Sequence, residues 1–177
     1  MDCFKEFLEN KFLIDNNDYM KVAIIFASKH GTTEKVANLL ADKLRRKGDD
    51  VSLHNLRRGI SPDLKLFDKV IIGGSIHAGN IQRGLVNFCE KNKEVLKDNK
   101  LGLFICCMHK EKAQEQFDNA YCEDLRNHSS ANSIMGGEFI FEKMNFIERI
   151  LVKKIAKVKG SVSDINTKEI SRFADEV

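Results

Sequence analysis

Residues 21–34, KVAIIFASKHGTTE, give the strongest indication of the architecture. The first half, KVAIIFA, is short, apolar and rich in β-branched side chains, as expected of a strand that is covered on both faces. The second half, SKHGTTE, is polar and leads into a segment with Val36, Leu40 and Leu44 at helical spacing, which ends at Gly48. A buried strand, a polar loop and an amphipathic helix in this order predict the first βα unit of a parallel sheet.

The same alternation continues to the end of the chain. Further strands are predicted over residues 51–56, 69–73, 101–108 and 133–141, and helices over residues 82–96, 113–128 and 166–176, with Asn166 as the N-cap of the last helix. Because 177 residues fit one domain, residues 20–177 are predicted to form a single α/β domain with a five-stranded parallel sheet.

Two segments lie outside this five-strand plan. Residues 1–19 have apolar side chains at helical spacing and predict a short N-terminal extension, although a true start at Met20 explains them equally well. An insertion over residues 142–166 has an apolar stripe and a basic set, namely Ile147, Leu151, Ile155 and Val158 with Arg149, Lys153, Lys154, Lys157 and Lys159. Such a helix is predicted either to contact an anionic membrane surface through residues 143–160 or to pack on the domain with its basic face in solvent.

Composition and charge exclude several classes of function. A hydrophobic fraction of 42% and a charged fraction of 31% are typical of a globular protein, and a net charge of +3 gives no broad basic surface for nucleic acid. The five cysteines include no CxxC pair, so we expect reduced thiols, no metal site and a cytoplasmic location. Cys106 and Cys107 are predicted to be core thiols that point to opposite faces of one strand.

The polar loop after the first strand has the position of an anion site. Unpaired backbone N–H groups at a helix N-terminus donate hydrogen bonds to a phosphate, and Gly31 allows the backbone to approach it closely. The loop matches neither GxxxxGK[ST] nor GxGxxG, which favours a mononucleotide phosphate. The candidate residues are Ser28, Lys29, His30, Gly31, Thr32 and Thr33. The alternative interpretation is a polar turn in which Thr32 or Thr33 only caps the helix.

Two further loops are predicted to lie beside the first one. Loops after strands one, three and four of such a sheet converge where the strand order reverses, and these three suit a flat ligand. The candidates are Ser75, Ile76, His77, Ala78 and Gly79 after strand three, and Cys107, Met108, His109 and Lys110 after strand four. Taken singly, each is equally compatible with an ordinary loop or core residue.

The order of four features resembles the bacterial flavodoxin-like, quinone-linked protoporphyrinogen IX dehydrogenase family over nearly all of residues 20–177. These features are the loop SKHGTTE, the loop GGSIHAG, the apolar fourth strand and the late insertion. The resemblance implies a three-layer flavodoxin-like fold with strand order 2-1-3-4-5 and non-covalently bound FMN. By position, residues 28–33 would hold the FMN phosphate, while residues 75–79 and 107–110 would flank the isoalloxazine ring. The insertion departs from the family pattern, since it lacks an arginine- and aromatic-rich run.

The resemblance also implies a function, an FMN-dependent oxidoreductase of heme biosynthesis that passes electrons from a reduced substrate to a quinone at the inner face of the membrane. His77 and His109 are the candidates for proton transfer, because imidazole titrates near neutral pH. The alternative is a soluble flavodoxin-type electron carrier that serves a redox partner protein and has no substrate of its own. A signalling receiver domain would need an acidic residue at the end of strand three, where this chain has Gly73, Gly74 and Ser75.

Overall fold

The computed structural model describes residues 19–59, 61–156, 158 and 160–177. Five parallel strands form the main sheet in the order β2-β1-β3-β4-β5, which confirms the flavodoxin-like order. These strands span Lys21–Ala27, Asp50–Asn55, Lys69–Ser75, Lys100–Cys106 and Ala131–Ile134. The helices α1 to α7 span Thr32–Arg46, Arg83–Lys91, Lys93–Asp98, Ala113–Ala120, Glu123–His128, Phe146–Ala156 and Thr167–Glu176. The helix predicted over residues 1–19 lies outside the described residues, apart from Tyr19.

Strand β1 separates the two halves of the core. Its side chains alternate between the faces of the sheet, so that Ile25 joins one apolar cluster while Ile24 and Phe26 join the other. Helices α2 to α5 contribute to the first cluster, and helices α1 and α7 contribute to the second. Burial of each such side chain stabilises the fold by about 1.5–3 kcal/mol. Because helices cover both faces of the sheet, β1 lies in the middle layer of a three-layer structure.

Cys106 and Cys107 are buried in different clusters, as the sequence predicted. Burial raises the pKa of the Cys106 thiol to about 12 and also raises the pKa of Cys107, so both are neutral near pH 7. Strand β4 ends at Cys106, however, so Cys107 and Met108 belong to the following loop rather than to the strand.

Two predicted helices are each divided in the structure. The helix over residues 82–96 stops at Asn92, whose side-chain amide donates to the Phe88 carbonyl at 2.8 Å and competes with the helical backbone bonds. The helix over residues 113–128 stops at Tyr121, which is extended, with φ −129° and ψ 137°. The Tyr121 hydroxyl is buried and donates to the Phe104 carbonyl at 2.7 Å, with the Ile72 carbonyl at 3.2 Å. Burial and hydrogen bonding of this phenol outweigh local helix propensity.

The predicted fifth strand over residues 133–141 is wrong in both its start and its end. Strand β5 covers Ala131–Ile134 only, because Gly136 turns the chain with φ 71°, and a Cβ at Gly136 would lie 1.9 Å from the Asp164 carbonyl oxygen. After this turn, β6 (Glu138–Phe139) pairs antiparallel with β7 (Val162–Ser163) in a separate two-stranded sheet. The two short strands hold the ends of the insertion together.

Helix α6 of the insertion leaves part of its apolar surface in solvent. Phe146 and Ile147 are each 76% exposed and Ile150 is 50% exposed, so the predicted stripe is not packed on the domain at Ile147. Lys157, Lys159 and the side chains of Leu151 and Ile155 lie outside the described residues. Within the described part of the chain, no helix combines the length and the apolar character needed to cross a bilayer.

Candidate functional site

The three loops with candidate residues follow β1, β3 and β4, which are neighbours in the sheet. Parallel strands end at the same edge, so the three loops come together there. The backbone N–H of Ile76 donates to the Cys106 carbonyl at 2.9 Å and joins the bases of the second and third loops. The sheet therefore builds one composite surface from segments that are distant in sequence.

The first loop presents free backbone donors at the start of α1. Gly31 has φ 100°, a conformation that glycine adopts without strain, and its N–H donates to Ser28 Oγ at 3.1 Å. The N–H groups of Thr32 and Thr33 make no hydrogen bond within the described residues. These donors, at the positive end of a 15-residue helix, favour an anion.

The Thr33 side chain adds a further unsatisfied donor. It is fully buried, and its hydroxyl makes no hydrogen bond with any described residue. The Cys106 thiol lies beside this hydroxyl. Burial raises the pKa of the thiol, and the Thr33 hydroxyl opposes that rise, although the two groups are not hydrogen-bonded. A buried hydroxyl without a partner is costly, and a ligand that accepts its hydrogen bond would remove the cost.

The second loop is a tight reverse turn. His77 and Asn80 exchange backbone hydrogen bonds of 2.8 and 3.1 Å across Ala78 and Gly79, which have φ 48° and 85°. Ala78 is the one non-glycine residue with positive φ in the described chain, a conformation that costs about 1 kcal/mol or more. Ser75 Oγ lies 3.0 Å from His77 Nε2 and fixes the orientation of the imidazole.

His77 is also the contact between the second loop and the first. Its ring packs edge-on against His30 with 5.6 Å between ring centroids. Burial is the main cause that lowers the pKa of His77 below 6.5; electrostatic interaction with His30 and Lys29 lowers it further, while Glu148 opposes the shift. His77 is therefore a neutral imidazole at pH 7.

The third loop is spread between core and solvent. Cys107 N–H donates to the Gly136 carbonyl at 2.8 Å, and Met108 packs against Gly137, where a Cβ would lie 3.1 Å from Met108 Cγ. The His109 ring is exposed and makes no hydrogen bond with the described residues. Lys110 pairs with Asp164 at 2.8 Å. The structure thus brings His77 to the first loop but leaves His109 outside that contact.

The insertion contacts the first loop, a feature that sequence reasoning missed. Glu148 Oε1 accepts from Lys29 Nζ at 2.6 Å and lies 3.5 Å from His30 Nε2. His30 Nδ1 lies 3.0 Å from the Lys143 carbonyl oxygen, and a Cβ at Gly31 would lie 3.0 Å from Lys143 Nζ. These contacts place two insertion side chains, one acidic and one basic, over the candidate anion site.

Glu148 is held in place by the start of its own helix. The Asn145 side chain accepts from the Glu148 N–H, and the Glu148 carboxylate accepts from the Asn145 N–H, both at 2.9 Å. This reciprocal arrangement is a capping box. The hydrogen bond from Lys29 is the main cause that lowers the pKa of Glu148 to about 2, so the carboxylate is charged throughout the neutral range. The spacing Asn145-x-x-Glu148 signals the helix start in the sequence, but nothing local indicates the contact with Lys29.

Gln82 is another residue that the sequence did not single out. Its side-chain amide donates to Ser75 Oγ at 2.7 Å and its oxygen accepts from the Ser75 N–H at 3.2 Å. Gln82 thereby fixes the position of Ser75, which in turn contacts His77. The second loop is therefore held by the hydrogen bonds between His77 and Asn80 and by Gln82 at the start of α2.

The donors of the first loop fit the phosphate of a flavin mononucleotide. They comprise free amides at a helix N-terminus and a buried hydroxyl at Thr33 without a partner among the described residues. All of these groups can donate hydrogen bonds to the oxygens of a dianion. Lys143 adds a cation at the same place. The second loop contacts the first through His77 and His30, and the third joins the base of the second through Cys106 and Ile76, so all three loops lie at this edge.

Comparisons with known proteins agree with this fit. The family model of the Flavodoxin domain matches residues 23–166. The chain is 22% identical over 171 residues to protoporphyrinogen IX dehydrogenase [quinone] of Escherichia coli (strain K12), covering 89% of this chain and 94% of that protein. It is 26% identical over 145 residues to a flavodoxin of Clostridium saccharobutylicum, covering 81% and 76% of the two chains.

Solved structures give the same fold. The flavodoxin of Streptococcus pneumoniae TIGR4 superposes with a TM-score of 0.53 at 20% identity, covering 88% of this chain and 95% of that one. A match of the family model over most of the chain, a sheet in the order 2-1-3-4-5 and a loop with free amide donors after β1 lead to one assignment. The chain belongs to the Flavodoxin domain family, and its cofactor is FMN.

Proposed function

We propose that the protein is an FMN-dependent oxidoreductase that passes electrons from a reduced substrate, protoporphyrinogen IX or a related compound, to a quinone. The observation that carries the proposal is the similarity to the Escherichia coli dehydrogenase, which extends over 89% of this chain. The similarity spans 94% of the dehydrogenase, against 76% of the Clostridium saccharobutylicum flavodoxin. FMN supplies the electron and hydride chemistry, and the chain supplies binding, orientation and proton handling.

Each loop has a proposed role in this reaction. Residues 28–33 hold the phosphate through amides and the hydroxyls of Ser28, Thr32 and Thr33, while residues 75–79 and 107–110 flank the isoalloxazine. His77 is the proposed proton acceptor, since its lowered pKa keeps the imidazole neutral and Ser75 orients the ring. His109 is exposed at the third loop and is the second candidate for this role.

The outer face of α6 is the proposed site of membrane contact. Phe146, Ile147 and Ile150 are exposed, and Lys153 and Lys154 are exposed one turn further along the helix. Apolar side chains flanked by lysines suit a bilayer surface with anionic headgroups, where each basic residue contributes about 1 kcal/mol. Such a contact would bring the cofactor site close to a lipid-soluble quinone.

A vesicle assay tests the membrane contact. Cosedimentation with anionic vesicles is compared for the wild type, the double variant Lys153→Glu/Lys154→Glu and a charge-matched control, Lys65→Glu/Lys168→Glu, on exposed positions elsewhere. Loss of two favourable contacts of about 1 kcal/mol each predicts roughly 30-fold weaker binding for the first variant. Equal binding of both double variants would contradict a specific contact through α6.

The second candidate is a soluble electron carrier without a substrate of its own. The 26% identity to a Clostridium saccharobutylicum flavodoxin favours this alternative. Anaerobic oxidation of protoporphyrinogen IX with a menaquinone analogue separates the two functions. The dehydrogenase should turn over repeatedly in the presence of the quinone, whereas a carrier should accept electrons only from a reduced partner protein. A His77→Gln variant should retain the FMN absorbance bands and lose turnover, with His109→Gln as the matched comparison.

A further inference from the structure

The insertion places an ammonium group directly over the glycine of the first loop. A Cβ on Gly31 would lie 3.0 Å from Lys143 Nζ, so this nitrogen occupies the space directly beside the glycine. The backbone of Lys143 is fixed by the 3.0 Å contact of its carbonyl oxygen with His30 Nδ1. Lys143 also ends the short 3-10 turn Phe141–Lys143, which connects β6 to the segment before α6. The position of the side chain is thus anchored at its base.

The charge of Lys143 has no counter-ion in the described part of the chain. Other lysines at this edge of the sheet are paired, Lys29 with Glu148 at 2.6 Å, Lys35 with Glu138 at 2.5 Å and Lys110 with Asp164 at 2.8 Å. Glu138 is close enough for Lys143 to help lower the pKa of its carboxyl group, but its ion pair is with Lys35. An unpaired ammonium held against a loop of free amide donors attracts an anion rather than a carboxylate of its own chain.

The first loop also leads into an unsatisfied donor that is independent of Lys143. The Thr33 hydroxyl is completely buried and has no partner among the described residues. Together with the amides at the start of α1, the site offers neutral donors from one side and a full positive charge from the other. That set matches a phosphate dianion better than a monoanion, because a helix N-terminus alone supplies only about half an elementary charge.

We propose that Lys143 is a phosphate-binding residue, through which the insertion closes the cofactor site over the first loop and selects FMN against riboflavin. The proposal rests on the binding of FMN to this domain. Because the ammonium contributes through charge and is exposed, its effect is greatest at low ionic strength and declines as salt screens it.

Flavin fluorescence titration tests the proposal without any assay of activity. Lys143→Met should weaken FMN binding by about tenfold at low ionic strength and leave riboflavin binding unchanged, and the loss should shrink at high salt. Lys143→Arg should retain most of the affinity because it keeps the charge. Lys65→Met, at an exposed lysine outside the three loops and the insertion, is the matched control and should bind FMN like the wild type. Circular dichroism of each ligand-free variant checks that the fold is kept.

The outcomes distinguish this proposal from the cofactor assignment on which it rests. If wild-type protein bound neither flavin, the cofactor assignment itself would fail. If the wild type bound FMN and Lys143→Met bound it equally well, only the role of Lys143 would be refuted. The last measurement is the thermal stabilisation of each variant by inorganic phosphate alone. A variant that loses thermal stabilisation by phosphate yet retains full FMN affinity would identify a free-anion site and overturn the proposal.

Discussion

Replacement of Thr33 by valine should change two measurable quantities in opposite directions. The substitution exchanges a buried hydroxyl for a methyl group of similar shape and keeps a β-branched side chain in the first turn of α1. In the ligand-free protein the hydroxyl has no partner among the described residues. Removal of an unsatisfied buried polar group relieves a penalty of about 1–3 kcal/mol. The melting temperature of the ligand-free variant should therefore rise, by about 2–4 °C for each kcal/mol in a chain of this size.

Binding of FMN reverses the sign of the effect. If the Thr33 hydroxyl donates to the phosphate, its loss removes a hydrogen bond to a charged group, which contributes about 1.5–3 kcal/mol. The dissociation constant for FMN should increase by roughly 10- to 150-fold. Riboflavin has no phosphate, so its dissociation constant should stay the same in Thr33→Val.

Two assays on the same preparations measure both effects. Thermal unfolding followed by circular dichroism gives the stability without flavin, and fluorescence titration gives the two dissociation constants. Thr167→Val, in the first turn of α7 and exposed, is a control that should change neither quantity. A less stable ligand-free Thr33→Val would mean that the hydroxyl is satisfied in the folded protein. An unchanged FMN affinity would mean that it does not reach the phosphate.

Three further predictions concern single side chains. Tyr121→Phe should lower the free energy of unfolding by about 0.5–1.5 kcal/mol in urea denaturation, because a buried hydrogen bond to the sheet backbone is lost, and an unchanged midpoint would show that the phenol contributes only packing. His77 should titrate below pH 6.5 by NMR, and His30→Asn should raise its pKa. Because the unfolded state binds this proton at a higher pH than the folded state, the wild type should lose stability as the pH falls below 6.5. A His77 pKa at or above 6.5 would refute the burial argument. Iodoacetamide at pH 8 should alkylate the exposed Cys122 far faster than Cys106, whose pKa is raised to about 12, and mass spectrometry showing equal rates would contradict the buried position of Cys106.

The three central strands β1, β3 and β4 were predictable because their side chains are buried on both faces. The run VAIIFA after Lys21 has no polar position, and each of its residues from Val22 to Ala27 is buried in the structure. The order of the strands came from the resemblance to a family rather than from the runs themselves. Local patterns failed where a tertiary contact decides the conformation, as at Tyr121, whose phenol reaches the backbone of β4.

The candidate site was predictable only loop by loop. Each loop follows a strand end, so its place at one edge of the sheet followed from the parallel order. The contact of Glu148 with Lys29 joins residues separated by 119 positions, and no periodicity or motif in the sequence indicates it. The same holds for Lys143 over Gly31, since the path of the insertion depends on the Gly136 turn and on the pairing of β6 with β7.

Helix α6 contacts the first loop on one side and solvent on the other. Glu148 fixes the inner side of the helix to Lys29, while Phe146 and Ile150 on the outer side remain in solvent. The two sides belong to one helix of 11 residues, so a partner that displaces the helix also breaks the contact of Glu148 with the first loop, where FMN binding is proposed. Thermodynamic linkage then requires reciprocity: the factor by which FMN changes the affinity for that partner equals the factor by which the partner changes the affinity for FMN.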